Sequence, residues 1–236
     1  MTRPGAPLLS LLLLLCLALS SPARAGQQPV LVELFTSQGC SSCPPADELL
    51  REMAARPDVV ALALHVDYWD YIGWTDSFAR PEYSARQRAY AAATGTSMVY
   101  TPQMIIDGAR DVMGSHPQDV AAAIAERRAA PRRVTLETAR ANGKLRITAR
   151  AAPGAQGICA VEMMRYRPHA RVEITSGENA GKVMDYANIV TEISTVTEWD
   201  MSTPLDIEVP LTGDLPAVVV IQQGRAGPVE AVARID

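Results

Sequence analysis

Two apolar runs stand out early in the chain, at residues 30–35, interrupted by Glu33, and 59–66, interrupted by His65. Both are short and rich in β-branched residues, which predicts buried strands. Between them, residues 45–55 place Leu49, Leu50 and Met53 on one helical face, while Asp47, Glu48, Arg51 and Glu52 mostly point elsewhere. Pro44 and Pro45 suit a first helical turn, where a missing N–H goes unused. Arg56-Pro57-Asp58 closes the helix. A strand–helix–strand unit with so short a crossover makes the two strands parallel. An aromatic segment follows at 67–76, then a helical pattern at 77–94 ended by Gly95. Ile105 and Ile106 predict a strand entered through Pro102, and Asp107-Gly108 predicts a tight hairpin turn with a return at 110–113. Ser115 is placed to cap an alanine-rich helix at 118–128.

Past Pro131 the helical period disappears. Short apolar or alternating stretches at 134–139, 145–149, 159–166, 172–175, 187–196, 205–209 and 218–222 are divided by turns such as Asn142-Gly143 and 177–181. Regularly spaced short strands predict a β-sandwich. The sequence thus divides into an α/β domain at 26–130, carrying an aromatic and helical insert at 67–95, and an all-β, sandwich-like domain at 131–236.

Hydrophobic content of 48% and a charged fraction of 20% are those of a chain with real cores. A net charge of −4 with no basic stripe gives no electrostatic case for nucleic acid. The first 25 residues read as an export signal: Arg3 begins it, residues 8–19 are almost wholly apolar, and Ala23-Arg24-Ala25 has the small-x-small form of a cleavage site. The expectation is a periplasmic or secreted protein cut after Ala25, without a membrane span thereafter. Cys16 would leave with the signal. Cys40, Cys43 and Cys159 then remain, one close pair and one leftover, too few to staple a scaffold in an oxidising compartment.

The close pair, Gly39-Cys40-Ser41-Ser42-Cys43-Pro44, lies where the first strand turns into the first helix. At a helix N-terminus, unpaired N–H groups and the helix dipole favour thiolate over thiol. No glycine-rich dinucleotide loop is present, so no organic cofactor is implied. The order β-α-β-α-β-β-α, with Cys-x-x-Cys at the first joint and a proline opening the third strand, resembles the thioredoxin fold. That resemblance implies a cis bond before Pro102, beside the cysteines, aligning a substrate backbone. Ser41-Ser42 departs from the usual glycine-proline between the thiols, and Gln38-Gly39 stands where a tryptophan is usual. The segments 32–47, 65–74, 86–88 and 100–104, with Gly177-Glu178-Asn179 and Trp199, are similar to the exported bacterial family catalogued as domain of unknown function 1223.

The chemistry expected is thiol–disulfide exchange on a protein or small-thiol substrate, with Cys40 as nucleophile, Cys43 as resolving thiol and Pro102 aligning the substrate. Glu33, an acid within an apolar strand, is a candidate for proton transfer to Cys43, the alternative being an acid paired with an arginine or turned to solvent. Thr101, Tyr68, Trp69 and Gln38 are candidates for substrate contact, with a local aromatic core as the alternative. Two rival readings use the same pair: a Cu(I) or zinc site of Cys40, Cys43 and His65, or a purely structural disulfide in an interaction module.

Overall fold

The structure is a computed structural model, and it describes residues 28–235. The proposed export signal lies outside the described residues. Among them, no helix is long and apolar enough to cross a membrane.

The first half of the chain runs β1 (Val30–Thr36), α1 (Pro44–Ala54), β2 (Val59–His65), a single 3-10 turn at Asp70–Ile72, α2 (Pro81–Ala93), β3 (Gln103–Ile106), β4 (Arg110–Met113) and α3 (Pro117–Ala129). The second half runs β5 (Val134–Ala141), β6 (Lys144–Ala151), β7 (Cys159–Glu173), β8 (Val183–Trp199), β9 (Leu205–Pro210), β10 (Ala217–Gln223) and β11 (Val229–Ile235). β1 and β2 pair in parallel, with Val30 opposite Val59 and Thr36 opposite His65. β3 returns antiparallel on the other side of β1, and its hairpin to β4 turns through Asp107 (φ 49°) and Gly108 (φ 62°). Gly108 has no room for a side chain, since a Cβ there would lie 2.2 Å from the carbonyl of Gly227.

The expected division into a helix-flanked thioredoxin-like α/β domain and a separate all-β domain is wrong. The protein is mostly strand, and one mixed sheet of eight strands, in the order β11-β10-β7-β8-β2-β1-β3-β4, runs through both halves. The join is at β2. This strand is buried along its whole length, so its open edge needs hydrogen-bond partners. β8 supplies them, meeting it in parallel at Ala63–Ile189, while the Asn188 side-chain amide donates to the Ala61 carbonyl at 2.9 Å. The hairpin that brings β8 there was read in the sequence as several short strands. It is one ribbon of a 15-residue and a 17-residue strand, with irregularities at Val161/Glu162 and Arg165/Tyr166. Each such bulge shifts which residues face inward, and so erases a simple alternation.

Three cores follow from the period of two along the strands. Val30, Val32 and Leu34 of β1 pack with Val59, Ala61 and Ala63 of β2 beneath α1 and α3, against Leu50, Met53, Val120 and Ile124. Leu31 and Phe35 face the other way, with Leu62 and Leu64, toward Tyr83 and Tyr90 of α2. Val218, Val220, Val229 and Val232 of β10 and β11 belong to that same cluster, so the sheet curls back over its own first strands. The alternate residues Val219, Ile221 and Ala231 face a second sheet, ordered β5-β6-β9, through Leu145 and Ile147. Sheet-on-sheet packing therefore exists in the second half, but it is built on the outer face of the shared sheet.

Candidate functional site

β1 ends at Thr36, and the chain turns tightly through Ser37, whose carbonyl accepts from the Cys40 N–H at 3.1 Å. Cys40 and Cys43 are joined as a disulfide, with Cα atoms 5.4 Å apart. Cys43 is the N-cap of α1. Its carbonyl accepts the N–H groups of Ala46 (2.8 Å) and Asp47 (3.1 Å), while Pro44 and Pro45 have none to give. The first turn of α1 therefore aims no free N–H at the sulfurs. The local amide assistance expected from the sequence is missing, and only the diffuse helix dipole remains.

Cis-proline stands beside the pair. The Thr101–Pro102 bond is cis, and Ser42 links the two segments, its hydroxyl 3.4 Å from Cys40 Sγ and 3.5 Å from the Thr101 carbonyl. The Pro102 carbonyl accepts from the Gly114 N–H at 2.9 Å. Gly114 is a close approach, since a Cβ there would meet Ala46, Leu34 and Pro102 at 3.1–3.3 Å.

The segment after β2 closes over this loop. Trp69 Nε1 donates to Thr101 Oγ1 at 2.8 Å, and Trp74 Nε1 donates to Gln38 Oε1 at 2.8 Å. Ile72 and Trp69 lie against Gly39, where a Cβ would come within 3.3 and 3.4 Å of them. From the second half, Asn179 Nδ2 donates to the carbonyls of Gln38 (2.8 Å) and Cys40 (2.9 Å). Gly177, at φ +75°, packs against the Trp74 side chain, and Ser176 Oγ donates to the Gly73 carbonyl at 2.7 Å. Under this cover Cys40 is 1% exposed and Cys43 wholly buried, whereas Ser41 and Ser42 are exposed.

At the ends of β1 and β2 lies a buried polar cluster, joined to the Cys40 loop through Gln38 and to Cys43 through the Asp47 N–H. Thr36 and His65, partners across β1 and β2, both point to the α1 side. Thr36 Oγ1 donates to Asp47 Oδ1 at 2.8 Å. His65 Nδ1 lies 2.7 Å from Asp76 Oδ2, the oxygen that also accepts the Gln38 N–H at 2.8 Å. Phe78 and Tyr186 enclose the imidazole edge-on, with ring centroids at 5.2 and 5.0 Å. Asp47 Oδ2 and His65 Nε2 are buried without a hydrogen-bond partner. Burial pushes the Asp47 carboxyl up to about 7, against the opposing pull of His65 and Thr36. Burial also pushes Asp76 up, but His65 and the N–H groups of Gln38 and Phe78 outweigh it and hold Asp76 below the usual carboxylate range.

The sequence candidates divide accordingly. Cys40, Cys43, Pro102, Thr101 and Trp69 come together. Gln38 is there too, but its backbone and side-chain polar groups are engaged by Asp76, Asn179, Trp74 and Ser77. Tyr68 turns to α2, its hydroxyl donating to Gln87 at 3.0 Å. Glu33 is on the opposite face from α1, with Leu31 and Phe35. There it pairs with Arg86 (2.7 Å) and accepts from the Tyr90 hydroxyl (2.5 Å). His65 is bound to Asp76, and among the described residues no group of three His, Cys, Asp or Glu side chains is arranged to hold a metal ion. Sequence reasoning missed Asp47, Asp76 and Asn179. The signal for Asp47 was its place one helical turn after Cys43.

A family model described as "Protein of unknown function (DUF1223)" matches residues 31–223. No curated protein matches the chain. Among solved structures, the crystal structure of protein AGR_C_4864 from Agrobacterium tumefaciens is similar at 33% identity. It has a TM-score of 0.75, with 87% of this chain and 93% of that chain covered. HBP35 of Porphyromonas gingivalis is similar in fold, with a TM-score of 0.57 at 12% identity, covering 89% of this chain and 75% of that one.

Proposed function

We propose that this chain, which belongs to the DUF1223 family of proteins of unknown function, is an exported thiol–disulfide oxidoreductase working through Cys40 and Cys43. One observation carries the reading. A Cys-x-x-Cys disulfide at a strand–helix joint lies beside a cis-proline, and the helix that Cys43 caps carries a buried carboxyl, Asp47, one turn on. Separately these features are common, but together they provide an electrophile or nucleophile, a positioning element and a proton carrier.

In the reducing direction, the Cys40 thiolate attacks one sulfur of a client disulfide. A Cys40–client disulfide forms, and the other client sulfur leaves as thiolate and takes a proton from water. Cys43 then gives its proton to the Asp47 carboxylate and attacks Cys40 Sγ. The Cys40–Cys43 disulfide forms, the client's second sulfur leaves as thiolate and is protonated, and two electrons have passed from the dithiol to the client. The oxidising direction is the same path reversed. A carboxyl that titrates near neutrality suits both, since it can hold or release the proton at the working pH. Glu33 has no part in this, its charge being spent on Arg86.

The test is the Cys43→Ala variant made in exporting cells, which should accumulate partners disulfide-linked to Cys40. The reading is overturned if no adduct forms and the mature wild-type protein neither reduces insulin nor oxidises a dithiol peptide. Burial of both sulfurs favours one rival, a structural disulfide. A redox series in glutathione decides between them: a reversible couple near the compartment's potential supports exchange, while a bond that resists the whole series supports structure.

A further inference from the structure

The first turn of α1 gives the Cys40 sulfur no free amide, yet an attacking thiol at neutral pH needs its thiolate favoured. The second half of the chain brings a different source of positive potential to the same loop. The turn between β7 and β8 is tied internally, Gly181 N–H donating to the Ile174 carbonyl at 2.7 Å and Lys182 N–H to the Asn179 carbonyl at 3.1 Å. It presents Asn179, only 2% exposed, with both polar ends used. Nδ2 donates to the carbonyls of Gln38 and Cys40, and Oδ1 accepts from Lys182 Nζ at 2.7 Å. An ammonium on the amide oxygen polarises the amide and strengthens the donation at its other end. It also places a full positive charge two hydrogen bonds from the Cys40 carbonyl.

We propose, resting on the oxidoreductase reading, that Asn179 and Lys182 are positioning residues that hold the Cys40 loop and favour its thiolate. The long β7–β8 hairpin thereby completes a site begun in the first half of the chain. Asn179 fixes the loop geometry through two carbonyls, and Lys182 supplies the charge. Other titratable groups lie on the elements packed about the loop; Asp185 of β8 pairs with His169 and Arg171 of β7, and Asp67 of the covering segment accepts from Ser84. Asp47 belongs to α1, His65 to β2, Asp70 and Asp76 to the covering segment, Tyr186 to β8, Tyr100 to the segment before Pro102, and Glu178 to the turn itself. Glu48 and Arg51, on the outer face of α1, pair with each other. Among these, Lys182 is the cation bonded to a residue that touches the Cys40 backbone.

The experiment measures alkylation of Cys40 in the fully reduced mature protein by iodoacetamide across pH 5–10, read by peptide mass spectrometry so that Cys43 and Cys159 do not interfere. Lys182→Met should raise the apparent pKa of Cys40, lowering its rate at pH 7 by about three-fold or more while leaving the high-pH plateau unchanged. Lys182→Arg should restore the wild-type profile. The difference between wild type and Lys182→Met should shrink as sodium chloride rises, because Lys182 is exposed and its field is screened. Asn179→Ala should lower the pH 7 rate at least as far. If it does not fold, the surface variant at Lys182 still decides the matter. Lys144→Met, on the distant β6, serves as the control and should match wild type. The proposal is overturned if Lys182→Met leaves the profile unchanged at low salt, or if salt does not alter the difference. Failure of the parent reading is separate: wild type with this Lys182-dependent profile but no insulin or dithiol exchange would sink the oxidoreductase assignment alone.

Discussion

Two buried polar clusters flank β1, and they are built on opposite principles. On the α2 face, the Arg86 guanidinium uses four of its five N–H donors on buried side chains. Nε donates to Glu33 at 2.7 Å, Nη1 to Glu162 at 2.9 Å, and Nη2 to the Tyr90 hydroxyl and Gln222 at 3.1 and 3.0 Å. Tyr90 and Gln222 bond each other in turn at 2.9 Å. On the α1 face, Asp47 and His65 each keep one buried polar atom without a partner, and the Asp47 N–H donates to the carbonyl of Cys43. A satisfied network fixes a structure, here tying β1, α2, β7 and β10 together. An unsatisfied one is costly to keep unless it does chemistry. The oxidoreductase reading puts its chemistry on the second of these faces.

The largest effect that could break this contrast is at Arg86. Arg86→Met leaves Glu33 and Glu162 buried without their cation and should lower unfolding stability by about 3–5 kcal/mol, read by urea titration. If the loss is under about 1 kcal/mol, the α2 cluster does not tie these four elements together.

Asp47→Asn should act in the opposite direction and depend on pH. The Asp47 pKa is raised in the folded protein, from 3.8 to about 7, so folding gains most from this group below pH 3.8. That contribution is lost as pH rises through about 7. At pH 8 the asparagine variant should therefore be more stable than wild type, by at most about 4 kcal/mol. At pH 4 the two should be alike. The same substitution should flatten the pH dependence of disulfide exchange near neutrality. A uniform destabilisation at both pH values would place Asp47 with the structural cluster.

The smallest effect concerns the cover. Trp69→Ala removes the indole bonded to Thr101 and packed by Gly39, and should speed reduction of the Cys40–Cys43 disulfide by dithiothreitol several-fold, with little change in thermal midpoint. An unchanged rate would mean that the 67–76 segment does not limit access to the sulfurs.

Much of the candidate site was legible in the sequence. Cys40, Cys43, the strand–helix joint and the proline at 102 could all be read from spacing, because each is a local feature of a short stretch. Of the two readings left open for Glu33, the structure has the arginine pair, for a reason the period of two contains: an odd-numbered position on β1 shares its face with Leu31 and Phe35, away from the helix that carries Cys43. Asp47 was assigned to the helix's polar side, since helical periodicity cannot foresee that the distant β8 would lie against α1 and bury it. The same hairpin defeated the two-domain reading. Its bulges at Val161/Glu162 and Arg165/Tyr166 scramble the alternation that would have announced two long strands. Asn179 lay in a turn whose sequence gave no hint that it reaches a carbonyl 139 residues away.

The placement of β8 against β2 also sets an order of events for a growing chain. Residues 30–129 contain β1, β2, β3 and β4 with α1, α2 and α3, but the outer edge of β2 stays open until Ile189 has been made. Closure of the sheet is thus a late, long-range step, of the kind that slows folding and leaves an apolar edge exposed in the meantime. The Cys40–Cys43 link spans only three positions and needs none of that later chain to form. The two sulfurs can therefore be oxidised while nearly half the protein is still unmade, and the Asn179 clasp arrives on a loop already closed.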